Sequence, residues 1–276
     1  MNKFLRTDLA TESIPCSKKI STKDYEIKPF ILKGFEVIMV EIKSKEAERI
    51  SQREIGKYYT IVIGRIWQKN KEASNVKDTI SEIFKELLDK KEKILIVGLG
   101  NKDITPDSFG PLCIENLRKL SSEKSTESSI YMLTPGVFAQ TQINLLDLIK
   151  ATIDITNATT LVLIDSLASR SVDRLCSTIQ ISNAGISPGS GIGYAQEKIC
   201  EEAVGVPVIS IGVPTVVSAS TLVCDALSIL GLKKSPSTLN TLLTQGIDFF
   251  VSPNDIDAVV SSLSRLVSEA IFDALK

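Results

Sequence analysis

Short, largely apolar runs recur along the chain: 94–99 (ILIVGL), 130–133, 161–164 (LVLI), 177–181 (STIQI) and 207–212 (PVISIG). A strand that is apolar on both of its faces must be covered on both. Segments with helical character lie between several of these runs, and such alternation marks an α/β fold: a mostly parallel sheet with helices on both faces. The first third adds two strand patterns rich in β-branched and aromatic residues, 35–42 (FEVIMVEI) and 58–64 (YYTIVIG). Between them 44–56 is charged and helix-prone, and Val76, Ile80, Ile83, Phe84, Leu87 and Leu88 recur at helical spacing within 75–90. A further helix is predicted from about Pro106 to Leu120, with Thr105 as N-cap and Pro106 in the first turn. Others are predicted near 140–154, 194–203, 218–230 and 255–275, and the serine-rich stretch 121–129 reads as a loop. In open sheets of this kind, functional groups gather beyond the carboxyl ends of the strands.

Composition narrows the chemistry. With 276 residues, 43% of them hydrophobic, the chain can build a core without disulfides or metal. A formal net charge of −1 gives no global field for nucleic acid or an anionic membrane. The first residues lack an apolar secretory segment, and no apolar run approaches the roughly 20 residues that span a bilayer. Neither a nucleic-acid nor a membrane partner is expected. Cys16, Cys113, Cys176, Cys200 and Cys224 are widely spaced and never form a CxxC pair, so they read as buried thiols of a cytoplasmic protein. The chain contains no histidine. That excludes Ser-His-Asp and Cys-His catalysis and histidine-bound zinc, and leaves proton transfer to carboxylates, lysine, tyrosine or cysteine. No cofactor and no metal is expected.

Five places could carry function, each against an ordinary structural role. Gly98-Leu99-Gly100-Asn101-Lys102-Asp103 follows a strand, but it lacks the third glycine of a dinucleotide fingerprint. Asp107, in Thr105-Pro106-Asp107, would lie just past a buried strand, where it could equally serve the helix dipole. Asp165 closes the run LVLI; a carboxylate there must be paired, for instance with Arg170 or Arg174, or held as a tuned acid. Gly185-Ile186-Ser187-Pro188-Gly189 matches GxSxG, yet a triad cannot exist without histidine, which leaves only Ser187 or Ser190 with Lys198. Gly212-Val213-Pro214-Thr215 would be a third turn at the same sheet edge, forming a wall of the cleft. On this reading Asp107 and Asp165 both follow parallel strands and meet at one edge. Two close carboxyls share a proton, one pKa rising and the other falling. The ionised acid would activate water, and the protonated one would polarise a peptide carbonyl and later protonate the leaving nitrogen.

Several blocks together resemble one family. They are Arg6-Thr7-Asp8-Leu9-Ala10-Thr11-Glu12, Val97-Gly98-Leu99-Gly100-Asn101 with Thr105-Pro106-Asp107 and Gly110-Pro111, Thr134-Pro135-Gly136-Val137 with Gln140-Thr141, and Ile164-Asp165-Ser166-Leu167-Ala168-Ser169-Arg170-Ser171. Thr178-Ile179-Gln180-Ile181-Ser182, Pro188-Gly189-Ser190-Gly191, Gly212-Val213-Pro214-Thr215-Val216-Val217 and an ending with Val251-Ser252-Pro253 follow in the same order. The set resembles the germination proteases of endospore-forming bacteria. The resemblance implies an α/β fold related to hydrogenase-maturation proteases, a homotetramer, and an atypical aspartic mechanism with Asp107 and Asp165 as the catalytic pair. The implied substrates are the small acid-soluble proteins that coat DNA in the spore core. It further implies an autoprocessing zymogen cut between Asp8 and Leu9, with 1–8 as propeptide and 9–276 as one protease domain. The sequence departs from the family's usual pattern at Ser166, where Ala is usual, and at Ser218, where Asp is usual. The rival readings are a degenerate paralogue that binds spore proteins without cutting them, a metal-dependent relative of hydrogenase-maturation proteases, and a nucleotide-binding regulator built on the 98–103 turn.

Overall fold

The computed structural model describes residues 7–13, 23–66, 73–88, 93–123, 130–137, 141–189, 197–231 and 249–276, the side chains of Cys224 and Ser228 excepted. The strands are β1 (Tyr25–Leu32), β2 (Phe35–Ile42), β3 (Gly56–Val62), β4 (Ile94–Gly98), β5 (Ile130–Leu133), β6 (Thr160–Ser169), β7 (Thr178–Ser182), β8 (Val208–Ser218) and β9 (Phe250–Val251). They form one sheet in the order β1-β2-β3-β7-β8-β6-β4-β5, with β9 paired to β8. The strands β8, β6, β4 and β5 are parallel to one another, whereas β1, β2, β3, β7 and β8 pair antiparallel. The helices are α1 (Ala10–Ser13), α2 (Lys45–Ser51), α3 (Ala73–Leu87), α4 (Phe109–Glu123), α5 (Leu145–Thr156), α6 (Glu201–Val204), α7 (Ala219–Ile229) and α8 (Ile256–Leu275).

Side chains alternate across a strand, so each buried strand feeds two cores. Ile94 and Ile96 of β4, Val162 and Ile164 of β6, Ile209, Ile211 and Val213 of β8, and Ile179 and Ile181 of β7 belong to one continuous cluster. It also contains Val37, Met39, Tyr59 and Ile61 from the antiparallel strands, and α3, α4 and α8 cover it. The opposite face is divided. Leu95, Val97, Leu161, Leu163 and Val208 pack with Ile149 and Ile153 of α5. Val40, Ile42 and Tyr58 pack separately with Ala10 and Ala47.

Several elements differ from the sequence reading. β1 was not anticipated; it pairs with β2 through a two-residue turn at Lys33 and Gly34, both at positive φ. The predicted helix 44–56 ends at Ser51, because Gly56 begins β3. Of the predicted helix 194–203, residues 194–196 lie outside the described residues, and only Glu201–Val204 is helical. Part of the predicted loop 121–129 is the end of α4, and 124–129 lie outside the described residues. Both β6 and β8 outrun their apolar runs, pairing from Leu161–Val208 through Ser169–Val217 past an irregularity at Leu167/Ala168. Asp165 and Gly212-Val213-Pro214-Thr215 therefore lie within strands rather than in turns after them. Cys113, Cys176 and Cys200 are buried free thiols; Cys16 lies outside the described residues.

Candidate active site

On the face where the core is divided, three residues lie side by side: Asp165 of β6 pairs with Gly212 of β8, and Gly212 pairs with Gln180 of β7. Each is flanked by residues of the continuous cluster, Ile164, Ile211 with Val213, and Ile179 with Ile181, so all three occupy the opposite face. Ser182 and Ser210, also paired, form the next row. Polar or bare positions interrupt the apolar cover at the middle of the sheet. Gln180, Ser182 and Ser210 are nonetheless buried. A cavity of about 440 Å3 opens there, lined by Asp8, Asp107, Asp165, Gly136, Pro188 and Thr215 among others. A smaller one of about 60 Å3 adjoins it, lined by Asp8, Arg53, Asp165, Gln180 and Ser187 among others.

Asp107 reaches this place through a tight crossing of backbones. Leu99 N–H donates to the Ile164 carbonyl (2.8 Å), tying the end of β4 to β6 just before Asp165. A side chain on Gly110 would meet the Leu99 and Ile164 carbonyls at 2.3 and 2.5 Å, and one on Gly98 would meet the Gly110 carbonyl at 2.3 Å. Gly100, at φ +112°, leaves no room for a side chain against the Asp107 carbonyl. These glycines serve close approach of β4, α4 and β6, which accounts for the Gly98-Leu99-Gly100 pattern without a nucleotide. The predicted helix start at Thr105–Pro106 is instead a 3-10 turn, Thr105–Asp107, before α4 begins at Phe109. The turn aims Asp107 back at the strand end, where Asn101 N–H donates to Oδ2 (2.7 Å).

The charges are consistent with a shared site. Burial raises the Asp107 carboxyl, opposed by the Asn101 N–H. Burial, then the negative charges of Asp107 and Asp8, hold the Asp165 carboxyl well above its ordinary value; the Ser166 N–H (2.9 Å) opposes them. Both acids shift upward, where the sequence reading had one rise and one fall: each is desolvated, and the charges acting on Asp165 are negative. Arg170 and Arg174 do not act as its counterions. Arg170 engages Glu12 through its backbone N–H (2.7 Å).

Asp8 and Leu9 join the pair. Asp8 N–H donates to the Ala168 carbonyl (2.7 Å), and Ala168 N–H donates to Asp8 Oδ2 (2.9 Å). Leu9 and Ala10 are fully buried, and the Glu12 carboxylate accepts from the N–H groups of Arg170 and Ser171 (2.7 and 2.9 Å). Residues 7–13 thus lie bound along the far end of β6, with Asp8 in the same cavity as Asp107 and Asp165.

A family model described as germination protease matches residues 7–235. The chain belongs to the germination protease family. Germination protease of Caldanaerobacter subterraneus subsp. tengcongensis is 31% identical over 99% of this chain and 94% of its own length. That of Bacillus subtilis is 37% identical over 82% of this chain and 67% of its own. Among solved structures, a NiFe hydrogenase maturation protease, HycI, from Thermococcus kodakarensis matches 69% of this chain and 99% of its own at 16% identity, with a TM-score of 0.38. A likeness at that level supports no argument about this chain. Membership in a peptidase family makes the chain a protease.

Of the remaining candidates, Thr215 lines the larger cavity with both acids, and Gly212 lines the smaller one with Asp165. Ser218 sits at the end of β8, bonded to Ser220 Oγ (2.7 Å), and does not line the larger cavity, so the charge missing there is not missing from its wall. Ser187 lines the smaller cavity, while Lys198 is held by Glu54 and Glu48 (3.0 and 3.4 Å); Ser190 lies outside the described residues. Among the described residues, no group of three His, Cys, Asp or Glu side chains could hold a metal ion, and no helix is long and apolar enough to cross a membrane. Sequence reasoning missed Arg53, and it quoted Gln180 without giving it a role. The available signal was Gln180 itself, a polar side chain between two isoleucines in a buried strand.

Proposed function

We propose that this chain is the endopeptidase that cuts small acid-soluble, DNA-coating spore proteins during germination, using Asp107 and Asp165 as its catalytic pair. The observation that carries the reading is that these two acids, one from the turn after β4 and one from β6, line one cavity, where the charge of Asp107 helps hold the Asp165 carboxyl well above its ordinary value. Family membership supports the spore substrate.

Asp165, the more strongly raised, is the protonated member, and Asp107 is the ionised one. Asp107 takes a proton from a water molecule as the water oxygen bonds to the peptide carbonyl carbon, while Asp165 donates a hydrogen bond to the carbonyl oxygen. The C–N bond then breaks, the Asp165 proton passes to the leaving nitrogen, and the proton on Asp107 returns to Asp165, directly or through solvent. Activity falls on the acid side as Asp107 protonates and on the alkaline side as Asp165 ionises, both above the ordinary carboxyl value of 3.8.

The same chemistry, acting on the chain itself, cuts between Asp8 and Leu9 and separates a propeptide, 1–8, from one protease domain, 9–276. The working form is a homotetramer in the spore core. Digestion of a purified small acid-soluble spore protein by wild type, Asp107→Asn and Asp165→Asn tests the pair. Loss of cleavage in both variants is expected, and wild-type-like cleavage by either rejects the assignment. Mass spectrometry of the aged wild type should show loss of residues 1–8.

A further inference from the structure

The bound segment 7–13 is gripped from the antiparallel half of the sheet by two side chains. Gln180 straddles Leu9: its Nε2 donates to the Asp8 carbonyl (3.2 Å) and its Oε1 accepts from Ala10 N–H (2.8 Å). One side-chain amide thereby satisfies the backbone on both sides of the Asp8–Leu9 bond, as a neighbouring strand would. Arg53 donates to the Thr7 carbonyl through Nη2 and to Ser13 Oγ through Nε (3.0 Å), and its Nη2 lies 3.9 Å from Asp8 Oδ1. Asp8, Arg53, Gln180 and Asp165 line the smaller cavity together.

We infer that Gln180 holds the carbonyl of the bond to be cut, and that Arg53 selects an acidic side chain on the residue before it, in a protein substrate as in the chain's own residues 7–13. The inference rests on the two-aspartate endopeptidase reading and adds to it the residues that orient and choose the bond.

The placement favours both roles. Gln180 is buried on a central strand, in register with Gly212 and, beyond it, Asp165; two strand spacings put the backbones of Gln180 and Asp165 roughly 10 Å apart. A carbonyl held by Gln180 Nε2 can therefore lie between that donor and Asp165. A donor fixed before the reaction strengthens as the carbonyl oxygen gains negative charge, without rearranging at that moment. Gln180 gives and takes only hydrogen bonds, so the proton transfers remain those of Asp107 and Asp165. Selection of an acid needs a counterweight, because the ionised Asp107 in the same cavity repels a second negative charge. Ala168 N–H, which donates to Asp8 Oδ2 (2.9 Å), can donate to an amide oxygen as well as to a carboxylate; the positive charge that tells the two apart is the guanidinium's.

The test uses the full-length chain and two peptides spanning residues 4–15, one as the sequence stands and one with Asn in place of Asp8. Wild type should prefer the Asp peptide by about 10-fold in kcat/KM. Arg53→Gln should bring that ratio close to one, chiefly through a higher KM for the Asp peptide, with Arg53→Lys in between. The ratio is taken within one preparation, so partial unfolding of a variant cancels. Gln180→Met should keep the preference and lower kcat on both peptides by about 10- to 100-fold. An unchanged ratio in Arg53→Gln, or an unchanged kcat in Gln180→Met, overturns the inference and leaves the endopeptidase intact. A wild type that cuts neither peptide also overturns it, and digestion of an intact spore protein then decides separately whether the proposed function stands.

Discussion

The two faces of the sheet are built to opposite rules. One carries a single apolar cluster running from Met39 of β2 through Ile181, Ile211 and Ile164 to Ile96 of β4 under α3, α4 and α8. The other has two smaller clusters separated by Asp165, Gly212, Gln180, Ser210 and Ser182. A fold selected for stability alone would close that gap with aliphatic side chains, since buried polar groups must at best recover their desolvation cost. The polar strip marks where stability gives way to chemistry. If so, substitutions on the strip should change rate more than stability, and substitutions beneath it the reverse.

The largest effect expected is on rate. Asp107→Asn and Asp165→Asn should each lower kcat/KM on a spore protein by at least about 1,000-fold, roughly 4 kcal/mol of barrier. Circular dichroism and melting should show both variants folded. A variant that loses activity only because it unfolds would erase the distinction between the faces.

That distinction was half visible in the sequence. The runs ILIVGL, LVLI and PVISIG revealed strands covered on both sides, and the absence of histidine turned attention to Asp107 and Asp165. The site's floor was less visible. Asp165 looked like the residue after a strand, because the apolar signal stops at Ile164 while the hydrogen-bonded ladder runs on to Ser169. β1 escaped because Lys28 and Pro29 break its pattern and most of it is exposed at the sheet's edge, so nothing enforced alternation. The roles of Arg53 and Gln180 come from register: they approach residues 7–13 from positions 40 or more and over 160 residues away in the chain, and no local spacing announces that.

On the apolar face the expectation inverts. Phe84 of α3 is fully buried in the continuous cluster. Phe84→Ala should cost about 3 kcal/mol or more of stability, measured by urea unfolding, while kcat of the folded fraction stays within about two-fold of wild type. A large fall in kcat at full occupancy of the fold would show that the two faces are coupled.

Gly212→Ala sharpens the comparison with a single methyl group on the strip. A Cβ there would meet the Leu167 side chain at 2.5 to 2.8 Å, and Leu167 lines both cavities. Leu167 must move, at a cost of about 1 to 2 kcal/mol. It moves between Asp165 and Gln180, so activity should fall by about 10-fold or more, out of proportion to the melting shift. Loss of stability without loss of rate would count against the strip as the reacting surface.

The smallest effect is on stability alone, and its sign is diagnostic. Burial and the charges of Asp107 and Asp8 raise the Asp165 carboxyl well above 3.8 in the folded chain. Between 3.8 and that higher value the folded state retains a proton that the unfolded chain releases, so native stability declines as pH rises through the window. Below 3.8 both states are protonated and the group contributes nothing. Asp165→Asn removes the titration while keeping an oxygen for the Ser166 N–H. The variant should therefore melt above wild type at pH 7, with the gap closing as pH falls towards 3.8. An acid that stabilised the fold as a carboxylate would give the opposite result, a variant less stable at pH 7 and equal to wild type only in acid. That outcome would remove the polar strip's energetic cost, and with it the physical reason for reading the divided face as a site.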